Sequence, residues 1–146
     1  IKWFIENVFP ELQNCKLQIV GNGMDKIFTS TSNIEVHGYV EDLAQFYYQA
    51  DAVILPIFSG GGMKTKTAEA LMYGCPIIGT KEAFEGYKLD FCKIGGMANT
   101  KEDMIISINK LKEDPESVKK ASEYARSIFK QLYCFENTIQ DLKKIL

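Results

Sequence analysis

Histidine is nearly absent: His37 stands alone in 146 residues. The four cysteines, Cys15, Cys75, Cys92 and Cys134, are widely spaced and form no C-x-x-C pair. That combination argues against a metal site and against a disulfide framework, and thiols without evident partners fit a reducing cytoplasm. Neither sign of charge is in excess. Lys and Arg number 17 against 19 Asp and Glu, a net charge of −2, so a general nucleic-acid-binding surface is not expected. No apolar run reaches the length of a transmembrane helix. Neither an internal repeat nor a low-complexity linker interrupts the chain. What remains is the composition of one globular domain, residues 1–146, long enough to bury a sizeable core.

Against that plain background one stretch stands out. Ser59 to Thr80 reads SGGGMKTKTAEALMYGCPIIGT. It follows the apolar run Ala52-Val53-Ile54-Leu55-Pro56-Ile57 and contains a second one, Ile77-Ile78. The pattern is strand, glycine loop, helix, turn, strand. A glycine loop opening a helix gathers free backbone N–H groups at the positive end of the helix dipole, which is the geometry that holds a phosphate. Lys64 and Lys66 add positive charge where acidic residues would normally be preferred, so an anion is expected there. Ala68, Leu71, Met72 and Cys75 fall at i, i+3, i+4 and i+7 and are expected to form the buried stripe. Glu69 lies on its flank, placed either to accept hydrogen bonds from a ribose diol or to pair with Lys66 or Lys64 as a surface ion pair.

Leu55-Pro56, the glycine-rich loop, Glu69-Ala70-Leu71, Gly74-Cys75-Pro76-Ile77-Ile78 and Thr80 together resemble the donor site of retaining glycosyltransferases of the GT-B fold, family 4. The resemblance runs over nearly the whole chain, though its flanking motifs are individually weak. It implies that Glu69 binds the ribose of a nucleotide diphosphate sugar and that Gly61, Gly62, Met63, Lys64 and Thr65 surround the diphosphate. Lys64 and Glu69 are the residues expected to carry the chemistry. One departure matters. The family's first glutamate, eight positions before the second, falls on Gly61, and that glutamate usually contacts the transferred sugar. The chain is closer to a subgroup with Gly-x-(Lys/Arg) in this loop.

The remaining segments read in order. Ile1 to Val8 has apolar residues at 1, 4, 5 and 8, a helical spacing. A parallel α/β domain usually begins with a strand, so residues upstream of Ile1 are expected. The resemblance places a basic pair that grips the diphosphate among them. Lys16–Val20 is a strand ending at Gly21-Asn22-Gly23, where backbone could approach a ligand or simply turn. Asn33–His37 is the next strand. The resemblance puts the backbone of Gly38, Tyr39 and Val40 at the nucleobase, and leaves His37 structural. Glu41-Asp42-Leu43 is expected to open a helix with acidic residues in its first turn and an apolar face of Leu43, Phe46, Tyr47 and Ala50.

Asp51–Ile57 and Ile77–Gly79 read as buried parallel strands. Thr80, Lys81 and Glu85 follow at a strand end, where ligands of open α/β sheets collect. Phe91–Ile94 reads as a weak edge strand stopped by Gly95-Gly96. Lys101–Lys112 is a helix with a near capping box, Thr100 and Asp103. Pro115 begins a helix running to about Tyr133, and Phe135–Leu146 a last short one.

The expected fold is α/β, a Rossmann-like parallel sheet with helices on both faces, one half of a GT-B fold, with a helical C-terminal third. The expected function is the donor-binding half of a glycosyltransferase acting in polysaccharide or glycoconjugate assembly. Its acceptor-binding N-terminal domain would be its partner and its only route to a membrane, so the location is cytoplasmic or peripheral on the inner face. The resemblance implies no cofactor and no metal, because the nucleotide sugar is a substrate. A GT-B nucleotide-sugar 2-epimerase is the first alternative, weakened by the poverty of histidine. A non-catalytic nucleotide-binding module is the second, supported by Gly61.

Overall fold

The computed structural model describes residues 1–134. Helix α1 (Lys2–Asn7) leads through a 3-10 turn at Phe9–Glu11 to β1 (Leu17–Val20), then α2 (Met24–Ile27), β2 (Ile34–His37), α3 (Ala44–Gln49) and β3 (Val53–Leu55). There follow α4 (Thr65–Tyr73), β4 (Ile77–Gly79), a 3-10 turn at Lys81–Phe84, α5 (Phe91–Ile94), β5 (Gly95–Met97), α6 (Lys101–Glu113) and α7 (Pro115–Ile128), extended by a π turn at Phe129–Tyr133. The expected helix over Phe135–Leu146 lies outside the described residues.

All strand pairs are parallel. β1 pairs with β2, and β4 pairs with both β3 and β5. The α/β class with helices on both faces is therefore as expected. The alternation of side chains along each strand sorts the core into two layers. Ile77, Val53 and Leu55 face α4 and α7, joining Ala70, Leu71, Cys75 and Ala125. Ile78 and Ile54 face the other way, joining Leu17 of β1, Phe4 and Val8 of the first helical segment, and Met104, Ile108 and Leu111 of α6. The near-continuous apolar run before the glycine loop is thus explained by burial on both faces. Between β1 and β3 lies an open slot of about 990 Å³. Among the described residues no strand occupies it.

Four expectations on local structure change. Phe91–Ile94 is a helix, not an edge strand, and the strand is Gly95–Met97. Asp90 caps the helix by accepting from the Cys92 N–H at 3.1 Å, a side-chain cap that outweighs the strand tendency of a short segment with three apolar residues. The acidic pair Glu41-Asp42 precedes α3 instead of occupying its first turn, and Asp42 Oδ1 accepts from the Ala44 N–H at 2.8 Å. In α4 the buried residues are Thr67, Ala70 and Leu71, whereas Met72 is 46% exposed. The true inner face is turned by about one residue from the expected stripe, because Thr67 hydrogen-bonds the Ala83 carbonyl at 2.6 Å in the buried seam. Thr80, expected to line a cleft, is buried with its hydroxyl donating to the Ile57 carbonyl.

The capping box of α6 is complete. Thr100 Oγ1 accepts from the Asp103 N–H at 3.1 Å, and Asp103 Oδ2 accepts from the Thr100 N–H at 3.2 Å. These hydrogen bonds, the Thr100 side chain's first, hold the Asp103 carboxyl below its ordinary 3.8. The folded state therefore binds this proton less tightly than the unfolded chain. The contribution is present above pH 3.8 and is lost as the pH falls through the lowered folded value. Asp103→Asn should flatten the fall in stability at acid pH, measured by urea unfolding across that range. An unchanged acid slope would show that the box does not couple to folding.

Candidate functional site

The glycine loop joins the end of β3 to the start of α4. Gly60 and Gly62 have φ of +116° and +78°, a region closed to most side chains, and they let the chain double back within a few residues. Lys64, the residue preceding α4, is drawn into the bend it helps to make. Its Nζ donates to the Gly60 carbonyl at 2.8 Å and the Gly62 carbonyl at 2.5 Å, and meets Glu85 Oε2 at 3.1 Å. An ammonium has three donors, so all of them are satisfied inside the protein. The Lys64 side chain is only 13% exposed. The Lys64 carbonyl accepts from the Thr67 N–H and from the Tyr87 hydroxyl at 2.8 Å. Met63 leans over Gly86.

The loop is thus clamped by Lys64, Glu85 and Tyr87, while its own amides stay open. The N–H groups of Gly61, Gly62 and Met63, and those of Thr65 and Lys66 in the first turn of α4, find no acceptor among the described residues. Open amides at the start of a nine-residue helix form an anion-binding corner.

Glu69 stands one turn along α4. Its Oε2 accepts from the Tyr47 hydroxyl and from Lys66 Nζ, each at 2.8 Å. Oε1 has no partner among the described residues. The carboxylate is 30% exposed, so it is fixed on one oxygen and available on the other. Both sequence alternatives for Glu69 therefore bear on one side chain: it pairs with Lys66 through one oxygen and offers the second. Burial, reinforced by Glu69, pushes the Tyr47 hydroxyl well above its ordinary value, and it remains a donor at any ordinary pH. Tyr47 stacks on Tyr73 with centroids 4.9 Å apart, which holds the hydroxyl in place.

A second set of expected residues gathers at the ends of β1 and β2. The Gly21 N–H reaches the carbonyls of His37 and Gly38, both at 3.3 Å. A Cβ on Gly38 would come within 2.8 Å of Asp25 Oδ1, so backbones and a carboxylate crowd there. Tyr39 is 76% exposed and makes no hydrogen bond or ring contact among the described residues, and Val40 follows it in the same segment. His37 packs edge-on against Phe46 at 4.9 Å. The slot between β1 and β3 separates this group from the loop. Val20, Met24, Tyr47 and Lys66 all border it.

Sequence reasoning missed the roles of Tyr47 and Tyr87, and it placed Glu85 at the ligand end of the sheet without its pairing to Lys64. Tyr47 was counted only as part of an apolar face. Its hydroxyl, on the same helix face as Phe46 and Ala50, was the available signal. Glu85 and Tyr87 lie 21 and 23 residues from Lys64, and nothing in the sequence links either of them to it.

The model of the family described as glycosyl transferases group 1 matches residues 1–103. The chain belongs to that family. Its α/β fold, parallel strands and glycine loop are those of a glycosyltransferase domain, and glycosyl transfer is the chemistry of its family. No curated protein matches the chain significantly. Among the described residues no group of His, Cys, Asp or Glu could hold a metal ion, and no helix is long and apolar enough to cross a membrane.

Proposed function

We propose that this glycosyltransferase domain binds the nucleoside diphosphate part of an activated sugar at the corner formed by Gly61, Gly62, Met63 and the first turn of α4. The observation that carries the reading is the pairing of open loop amides with a carboxylate that keeps one oxygen free a turn away. The amides suit the diphosphate. Glu69 Oε1 suits a ribose diol, which needs an acceptor. Gly21, Gly38, Tyr39 and Val40 would meet the base across the slot.

When the glycosidic bond to the diphosphate breaks, negative charge builds on the leaving oxygens. Fixed N–H donors at a helix start stabilise that charge without having to reorganise. Lys64 acts here chiefly by holding the loop in shape, and Lys66 in the first turn of α4 adds a second positive charge while paired with Glu69. The acceptor and the other half of the cleft are assigned to a second, acceptor-binding domain, with polysaccharide or glycoconjugate assembly as the role. The described domain by itself is expected to bind nucleotide weakly and to transfer nothing.

Gly61 favours a second reading, a nucleotide-binding module without catalysis, because it leaves the sugar without the family's first carboxylate. A Cβ at Gly61 would meet nothing within 4 Å, so Gly61→Glu can be built there. Gain of transfer in the complete protein carrying that substitution, from an inactive parent, would select this reading.

The direct test is an NMR titration with UDP, GDP and ADP. The amides of Gly61 to Met63 and Thr65 should shift with one of them. Glu69→Ala should weaken that binding by about tenfold or more, the scale of one or two hydrogen bonds to a charged group. Shifts centred elsewhere, or an affinity indifferent to Glu69, would remove the proposal.

A further inference from the structure

We propose that Glu85 is a positioning residue at the glycine corner. Acting through the Lys64 ammonium, it turns the amides of Gly61 and Met63 outward, to the place that the reading above gives to the diphosphate, on which this step rests. The peptide plane supplies the geometry. In a trans peptide the C=O of one residue and the N–H of the next point in opposite directions, and no peptide bond among the described residues is cis. The Gly60 and Gly62 carbonyls both turn in to Lys64 Nζ, at 2.8 and 2.5 Å. The N–H groups that share those two planes are those of Gly61 and Met63. Both therefore point away from the ammonium. One cation, by gathering two alternate carbonyls, aims two of the open amides.

The ammonium is itself held. A lysine side chain so little exposed needs a counter-charge and a third acceptor, and Glu85 Oε2 supplies both at 3.1 Å. The segment that carries Glu85 is fastened on two sides. Towards the loop, the Tyr87 hydroxyl donates to the Lys64 carbonyl at 2.8 Å. Gly86 lies under Met63, where a Cβ would come within 2.6 Å of Met63 Cγ. Towards α7, the Lys88 N–H donates to the Tyr133 hydroxyl at 2.6 Å and the Asp90 N–H to the Tyr124 hydroxyl at 2.8 Å. The carboxylate thus comes to Lys64 on a tethered backbone.

A lysine that served the ligand directly would be built differently. It would keep a donor free and project to the side of the open amides. Here all three donors are spent on the opposite side of the planes that carry those amides. A carboxylate beside an anion site is unfavourable by charge alone. Its place next to Lys64 is accounted for by the shape it gives the loop. The charge effect and the positioning effect of Glu85 have opposite signs, and Glu85→Gln separates them. Glutamine keeps the shape of the side chain and removes its charge. The position is half-exposed, so the fold should tolerate the change.

The test is an NMR titration of parent and variant with inorganic pyrophosphate and with whichever of UDP, GDP and ADP binds. By charge alone Glu85→Gln would bind both probes more tightly. Positioning predicts weaker binding of both, by about tenfold, the scale of one or two lost amide contacts to an anion. Glu69→Ala should instead weaken the nucleotide and spare pyrophosphate, which has no ribose. Before ligand is added, the amide resonances of Gly61 and Met63 should move in Glu85→Gln while those of Leu71 and Ile77 in the core stay in place. Unmoved loop amides would overturn the proposal. So would pyrophosphate bound equally well or more tightly by Glu85→Gln, and tighter binding would make Lys64 a direct ligand contact that Glu85 restrains. A parent that binds neither probe would overturn the diphosphate reading and this step with it. That outcome is distinct from failure of the positioning role alone, in which the parent binds and the variant binds at least as well.

Discussion

Gly95→Ala should cost this fold about 3 to 5 kcal/mol, the sum of a strained backbone and a clash that nothing can relieve. Gly95 ends α5 and begins β5 with φ of +137° and ψ of −54°. That conformation alone penalises a side chain. The space is worse. A Cβ would stand 2.5 Å from the Ile77 carbonyl oxygen and 3.0 Å from the Ile77 carbonyl carbon. Ile77 is fully buried in β4, paired with Val53 on one side and Gly95 on the other. Its backbone cannot retreat without breaking a ladder. Gly23→Ala is the matched control. Gly23 also has positive φ, +76°, yet its Cβ would meet nothing within 4 Å, so only the strain remains, about 1 kcal/mol. Urea unfolding of the two variants should separate them clearly. Equal losses would mean that β5 can shift away from β4, contrary to the packing described.

The same position shows where sequence reading stops. The alternation of strand and helix was legible because β3 and β4 are apolar on both faces and several of the turns are marked by glycine or proline. Ile77–Gly79 was read with its bounds, the strand expected over Asp51–Ile57 is Val53–Leu55, and the starts of α6 and α7 were marked by Thr100 and by Pro115. Phe91–Ile94 was misread. Four residues, three of them apolar, carry too short a period to distinguish helix from strand, and what decides is Asp90 before them and the β4 backbone, which lies earlier in the chain.

The candidate site divides along the same line. The open amides and Glu69 follow from local chemistry: three glycines, a helix start and one acidic side chain on its rim. The fate of Lys64 does not. A lysine beside a phosphate-like loop suggests a ligand contact, but Glu85 and the carbonyls of Gly60 and Gly62 take up its donors. Tyr47 reaches Glu69 across 22 positions of sequence. Partnerships of that range are set by how α3 packs on α4, and no spacing rule within either helix contains them.

The phase of α4 offers the second large effect. Leu71→Ala should destabilise the domain by about 3 kcal/mol, within the 2–5 kcal/mol that removal of a fully buried leucine side chain costs through lost burial and the cavity left behind. Leu71 is fully buried among Leu55, Cys75, Ile77 and Ala125. Because β4 and α7 are each held by other contacts, they cannot close fully over the gap. Met72→Ala, the adjacent residue, should change stability by no more than about 0.5 kcal/mol, as at ordinary surface positions. The amphipathic pattern of the sequence alone would assign both residues to the core and expect similar losses. The difference arises because Thr67, a polar residue, occupies the inner face by satisfying the Ala83 carbonyl, which turns Met72 outward. That rotation also sets the site, since Glu69 lies two residues from Thr67 and Leu71 and is presented at the rim beside Tyr47 only in this phase. Denaturant midpoints for Leu71→Ala and Met72→Ala decide the matter. Similar losses at the two positions would return α4 to the phase the sequence pattern favours, and would move Glu69 away from the open amides of the loop.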